Sequence, residues 1–216
     1  MLPIPIGEKL ILINRPIVPI VTSPTFSMET GDIDHTTGMG DIVLLSMLGP
    51  NAKRGFIWGL GPSLVFPTAT QDVLGKHKYQ AGPAGVALYM SDNWVLGTLT
   101  QQWWSFTGDE NYDETSFLSA QYFIWRMLPN AWQVGMSPVA MVDWKAESGN
   151  QVTLPVGLGI GKTVKLFGKL PFKIAAEVQY AVVRPDKLGQ QWNFVLQITP
   201  VIPSPFGSID KSKMMQ

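Results

Sequence analysis

From Trp132 to Val164 the chain keeps a two-residue rhythm through two successive segments. Trp132, Val134, Met136, Pro138, Ala140, Val142 and Trp144 take the even positions of the first, and Val152, Leu154, Val156, Leu158, Ile160 and Val164 those of the second. The odd positions hold Gln133, Gly135, Ser137, Asp143, Lys145 and Glu147, then Gln151, Thr153, Gly157, Gly159, Gly161 and Thr163. Sustained alternation of this kind predicts a strand hairpin with one apolar face. The steps from Trp132 to Trp144 cover roughly 40 Å along a strand, or about 28–30 Å along the axis of a sheet tilted by about 45°. That is close to one hydrocarbon core. Trp94 and Phe106 bracket another candidate strand at the same separation, as interface aromatics do at two membrane surfaces. The alternative is a soluble β-sandwich or barrel with large core aromatics, whose strands usually run only about 5–6 residues.

Composition narrows the choice. Charged residues make up 15% of the 216 residues, below the roughly 25% usual in soluble domains, as expected of a large uncharged exterior. Lys plus Arg and Asp plus Glu balance at 16 each, so nothing points to nucleic acid. There is no cysteine, which excludes disulfides, thiolate metal sites and a thiol nucleophile, and the two histidines, His35 and His77, leave little for a metal cluster. No run is long and apolar enough for a membrane helix, the longest lying around Ile42 to Leu48. A membrane reading therefore requires a closed barrel, because backbone groups in lipid must satisfy one another. Met1 to Ile6 lacks the basic and apolar regions of a secretory signal, so a mature form or a fragment is expected.

Taken in order, residues 1–6 read as the end of a strand before a turn at Gly7-Glu8. Strands are predicted at 9–21, 41–48, 56–68, 79–90, 94–106, 117–128, 132–144, 152–164, 171–183 and 191–202. Residues 22–39 read as a polar loop, 69–78 as a loop and 108–115 as an acidic one. After the first full strand the connections run long, short, long, short, which is the rhythm of a barrel with tight periplasmic turns and longer extracellular loops. The predicted fold is all-β: a transmembrane antiparallel up-and-down β-barrel. One domain spans 1–203 and a polar tail follows at 204–216. The count is ten full strands plus an N-terminal stub; parity of single-chain barrels predicts about twelve in the full-length protein, with a self-closed ten-strand barrel as the alternative.

Polar residues opposite the apolar faces are the candidate lumen lining: Arg15, Gln121, Asp143, Lys145, Glu147, Lys173, Glu177, Gln179, Gln191, Asn193 and Gln197. Asp143, Lys145 and Glu147 are read on one strand face as a charged patch at the extracellular mouth. Lys173, Glu177 and Gln179, with Arg15 on its own strand, are read as interior groups that could neutralise one another or set solute selectivity. Trp94, Phe106, Trp132, Trp144 and Trp192 are the candidate interface aromatics. Trp103 and Trp104 point to opposite faces, so one ring can anchor while the other enters the lumen. GLGIGKT at 157–163 lacks the first glycine of a phosphate loop, since that position is Val156, and it sits on a strand. Its glycines are read as small lumen-facing residues. No catalytic, cofactor-binding or metal-binding residue is assigned, because Ser119 and Ser137 have no histidine partner in view.

Several phrases resemble a known family: GMGDIVLL, GFIWGLGPSLVFPTATQDVLG, KYQAGPAGVAL, WWSFTGDE, WKAESGNQVTLPVGLGIGKTVKLFGKLPFKI and QWNFVLQITPVI. Together they are similar to the bacterial outer-membrane family labelled as MetA-pathway phenol-degradation proteins, often described as transporters. The similarity covers nearly the whole chain. The resemblance implies an outer-membrane β-barrel of Gram-negative bacteria that passes small, aromatic or hydrophobic molecules; with no catalytic or energy-coupling motif in the sequence, neither enzymatic activity nor a cofactor is expected. Its implied partners are the outer-membrane bilayer, the solute and the barrel-assembly machinery. A structural or adhesive barrel without transport, or an outer-membrane enzyme, are the competing functions.

Overall fold

The computed structural model describes residues 2–26, 33–52, 54–166, 170–186 and 190–200. Its elements are β1 (Leu2–Ile6), β2 (Leu10–Ile17), β3 (Ile20–Phe26), β4 (Ile33–Met39), β5 (Ile42–Pro50), β6 (Gly55–Phe66), β7 (Lys78–Met90), β8 (Trp94–Gly108), β9 (Ser116–Met127), β10 (Trp132–Met136), β11 (Val139–Asp143), β12 (Val152–Leu166), β13 (Leu170–Val183) and β14 (Trp192–Pro200), with one-turn 3₁₀ segments at Asp72–Leu74 and Pro129–Ala131. All pairing is antiparallel between chain neighbours, in the order β1-β2-β5-β6-β7-β8-β9-β10-β12-β13-β14, with β11 between β9 and β12. This is an up-and-down sheet. β10 and β11 are two halves of one strand, since both pair with β9 and with β12 in an unbroken register. Among the described residues the sheet therefore contains a short β1 and ten full strands. β1 and β14 stand at the ends of the order, and among the described residues no pairing joins them.

The sheet is rolled. Leu45 and Met47 of β5 pack with Ala84 of β7 and Leu99 of β8, and Val86 and Phe123 close on the same cluster, so strands three and four places apart meet across one face. That face is enclosed, and it holds the odd residues of β5, β6 and β8 to β14 and the even residues of β7. The opposite face carries large apolar side chains in the open: Phe56, Leu60, Phe106, Leu158, Phe194 and Leu196 are each about two-thirds exposed or more. Polar side chains show the reverse, with Ser63, Gln80, Gln101, Gln133, Glu177 and Gln179 buried. Polarity is thus inverted relative to a protein that folds around an oily core.

Two segments depart from the sequence reading. Of residues 22–39, expected as a polar loop, 22–26 and 33–39 belong instead to the paired strands of the β3–β4 hairpin, tied by Thr22 and Thr37 hydroxyls 2.9 Å apart. The hairpin continues the β2–β5 ladder past a break at Val18-Pro19 and Gly40-Asp41, which the Gly40 amide spans by donating to the Pro19 carbonyl at 3.0 Å. It reads as a loop because it carries no apolar alternation, although its β-branched residues favour extended backbone. The second correction concerns Trp144 to Gln151, which form the turn between β11 and β12. Lys145 and Glu147 therefore do not share a strand face with Asp143. The Asp143 carboxylate instead accepts from the Lys145 amide at 3.0 Å and folds the turn back. The expected tail at 204–216 and the end of the last predicted strand lie outside the described residues.

Candidate functional site

The enclosed face is the candidate site, and its two halves differ. On the β2–β9 side, Leu45, Met47, Leu99 and Phe123 fill the interior, leaving a cavity of about 150 Å³ edged by Ile11, Ile13 and Arg15. This explains why residues 42–48 show no clear alternation: both faces of β5 are apolar, one turned into this cluster and the other outward. Above the cluster, fully buried Ser63 donates to the Gln101 side-chain oxygen at 3.0 Å and accepts from the Trp103 indole at 2.9 Å. Trp103 is the inward ring of the tryptophan pair, while Trp104 is half exposed on the outside.

On the β9–β14 side the lining is a polar chain. Glu177 accepts from the Ser137 amide at 3.0 and 3.1 Å, from the Ser137 hydroxyl at 3.1 Å and from Gln179 Nε2 at 2.9 Å. Gln179 in turn accepts from Asn193 Nδ2 at 3.2 Å, and Gln121 Nε2 donates to the Ser137 carbonyl at 3.2 Å. The mutual neutralisation weighed from the sequence is not made through direct ion pairs. Among the described residues no ion pair joins Arg15, Lys173 and Glu177. Hydrogen-bond donors satisfy Glu177 instead, Lys173 lies 4.9 Å from the centre of the Trp125 ring, and Arg15 sits across the interior beside the apolar cavity.

Space for these side chains comes from the glycines of β12. A Cβ on Gly157 would meet the Val178 carbonyl at 2.8 Å and Glu177 Oε1 at 3.0 Å, and one on Gly161 would meet Gln133 Nε2 at 2.6 Å. GLGIG is therefore a floor over which neighbouring strands extend their polar groups. Gln197 stands on the same face, opposite buried Ala175. Gln191 lies just before β14, its amide donating to the Tyr180 hydroxyl at 3.0 Å.

One length of wall lacks its ladder. β10 pairs with β12 as far as Gly135↔Gly159, and β11 resumes at Met141↔Thr153 in the same register, but the residues between are unpaired. Antiparallel bonding alternates sides along a strand. Pro138 accepts from the Tyr122 amide on the β9 side and the Asp143 amide donates to Gln151 on the β12 side, so Ser137 and Val139 face β12. Val139 would pair with Pro155, which has no N–H to give. Ser137 would pair with Gly157, but its amide goes to Glu177, and the Gly157 amide contacts the Met136 sulfur at 3.4 Å. The Pro155 carbonyl accepts from the Tyr122 hydroxyl. Both missing rungs are thus replaced by side chains.

At the mouth, Lys76, Phe117, Asp143, Lys145, Tyr112 and Glu114 border a polar recess of about 380 Å³. Lys145 pairs with Glu114 at 3.2 Å, both exposed, while Glu147 remains in the turn. Asp109, at the start of the 109–115 loop, is held below the ordinary aspartate range by the backbone amide of Asn111 at 3.0 Å and its side-chain amide at 2.8 Å, with His77 and Lys78 adding positive charge.

The outward aromatics gather at two levels. Phe56, Tyr89, Trp94 and Trp132 lie toward the end that carries turns 7–9, 91–93 and 128–131. Phe66, Tyr79, Trp104, Phe106, Trp144, Tyr180 and Trp192 lie toward the end that carries 67–77, 109–115 and 144–151. Arg126 and Lys162 cap the first level, 5.4 and 4.7 Å from the Trp94 and Trp132 ring centres. Trp144 donates to Gln102 at 3.0 Å, and Tyr180 packs edge-on to Trp192 at 4.9 Å. Sequence reasoning missed Gln101, because Thr98, Thr100 and Gln102 make the outer face of β8 polar as well and hide its parity; Ser63 falls on the polar face of the cleanly alternating β6 but was not among the candidates.

Among the described residues no helix is long and apolar enough to cross a membrane, a fact that has no bearing on strands, and no group of three potential ligands could hold a metal. No family model, curated protein or solved structure matches the chain.

Proposed function

We propose that the protein is a β-barrel of the bacterial outer membrane that passes small apolar or aromatic molecules by passive diffusion. The observation that carries this reading is the inverted polarity: an apolar outer face rimmed by two levels of aromatic rings encloses, on its β9–β14 side, a lining of glutamine, serine, asparagine and one carboxylate, and on its β2–β9 side an apolar cluster with buried Ser63 and Gln101 above it. The rise from Tyr79 to Tyr89 is about 33 Å along the strand, or about 25 Å along the axis at a tilt of about 40°, which matches the apolar band of outer-membrane barrels. Water would not tolerate so much exposed apolar surface without aggregation, whereas hydrocarbon requires it. The bilayer, the solute and the assembly machinery are the partners this reading implies. Because lipid cannot satisfy an open strand edge, this reading requires the edges of β1 and β14 to be paired in the membrane.

The test is refolding into detergent and liposomes, followed by gel mobility boiled against unboiled and uptake of a small aromatic solute. Faster migration before boiling together with solute uptake above protein-free vesicles supports the reading. A chain that stays soluble without detergent and shows no mobility shift overturns it.

A further inference from the structure

We infer that the unpaired seam between β10–β11 and β12 is a lateral portal through which uncharged apolar solutes leave the interior for the bilayer. This rests on the membrane-barrel reading. Three independent features coincide there. First, the two missing rungs follow from Pro155 and from the diversion of the Ser137 amide, so the wall at this place is held by side chains. Second, the replacement contacts lie on both sides of the seam: Glu177 reaches Ser137 from the enclosed face, and Tyr122 reaches the Pro155 carbonyl from the other. Side chains can swing away by rotamer change, whereas a backbone ladder opens only by local unfolding. Third, recesses flank the seam on each face. Within, Val139, Met141 and Pro155 border a recess of about 190 Å³ that extends to Gln179 and Asn193. Outside, Val134, Leu158 and Ile160 edge a broad apolar recess of about 570 Å³ formed over Ala176.

The lining sets the chemistry. A solute crossing here passes Met136, Val139 and Leu158 and emerges among Ile160, Phe194 and Leu196, so it must be apolar and uncharged. A charged or heavily hydroxylated molecule would surrender its hydration with nothing to replace it. The apolar cluster on the β2–β9 side leaves the polar β9–β14 side, where the seam lies, as the less filled route.

The chain has no cysteine, so an engineered disulfide is unambiguous. Ala140→Cys with Leu154→Cys lie opposite one another across the seam by its register, and Ala87→Cys with Thr98→Cys join β7 to β8 where pairing is intact. Cells bearing each variant are assayed for entry of N-phenyl-1-naphthylamine, after unboiled gel mobility has verified a folded barrel. We expect the oxidised 140–154 variant to lose uptake to the level of cells without the protein and to regain it on reduction, while the 87–98 variant keeps the wild-type rate. Tyr122→Phe, which frees the Pro155 carbonyl, should take up the probe faster than wild type. A folded barrel whose rate is unchanged by both the 140–154 lock and Tyr122→Phe overturns the portal and leaves the membrane reading intact, as does a folded wild type with no uptake of its own. Failure to form a heat-modifiable barrel would count against the membrane reading itself.

Discussion

Individual side chains in the interior act by satisfying one another where water is excluded. Ser63 is the clearest case, because a single hydroxyl serves both the Gln101 oxygen and the Trp103 indole. Ser63→Val should leave that indole without an acceptor and cost about 1–3 kcal/mol, read as a lower urea midpoint in lipid; an unchanged midpoint would show that the network carries no weight. Gly157→Val should cost about 1–3 kcal/mol by overpacking, since its Cβ would press on the Val178 carbonyl and Glu177. Asp109 responds to pH. Its folded-state pKa is depressed, so its stabilisation of the loop is present above the unfolded value and lost as pH falls through the folded one. The Asn111 amide resonance should therefore titrate with a midpoint below the ordinary aspartate value and stay flat in Asp109→Asn; a midpoint at or above that value would contradict the arrangement. At this scale the sequence told which residues face inward on the strongly alternating strands, Lys173, Glu177 and Gln179 among them. It could not tell that Glu177 would pair with Ser137, because that contact passes over β12 and depends on a glycine floor formed by a third segment.

Elements were legible to the extent that one of their faces is apolar. β6, β12, β13 and β14 alternate cleanly and fall within a few residues of their expected bounds. β3 and β4 lie beyond the apolar band, where neither face needs to be oily, so the two-residue signal vanishes although the backbone remains extended. The break between β10 and β11 was hidden for a different reason: Pro138 keeps the even-position pattern, and the consequence of Pro155 appears only when its partner across the ladder is known. If the outer face of β12 lies against hydrocarbon, the cost of a charge must depend on depth. Leu158→Arg, midway between the aromatic levels, should destabilise by about 2–4 kcal/mol, and Trp192→Arg at the rim by about 0–1 kcal/mol. Equal costs at both sites in a lipid refolding titration would argue against a membrane band.

At the scale of the whole molecule, one inversion dominates: a rolled antiparallel sheet carries its large apolar residues on the outside. The all-β class and the alternation of tight and long connections were readable from the chain, because both follow from local period and turn chemistry. The curvature that brings β5 onto β8 and β9 was not, since it depends on packing between residues far apart in sequence. The most direct measurement is a nitroxide scan of β13, one cysteine at a time from Ile174 to Gln179, in the protein refolded into liposomes. Collision with oxygen should be high at Ile174, Ala176 and Val178 and low at Ala175, Glu177 and Gln179, with a water-soluble nickel relaxant showing no access to the even sites. Ready access of that relaxant to the even positions would contradict the account, because the apolar face would then be in water.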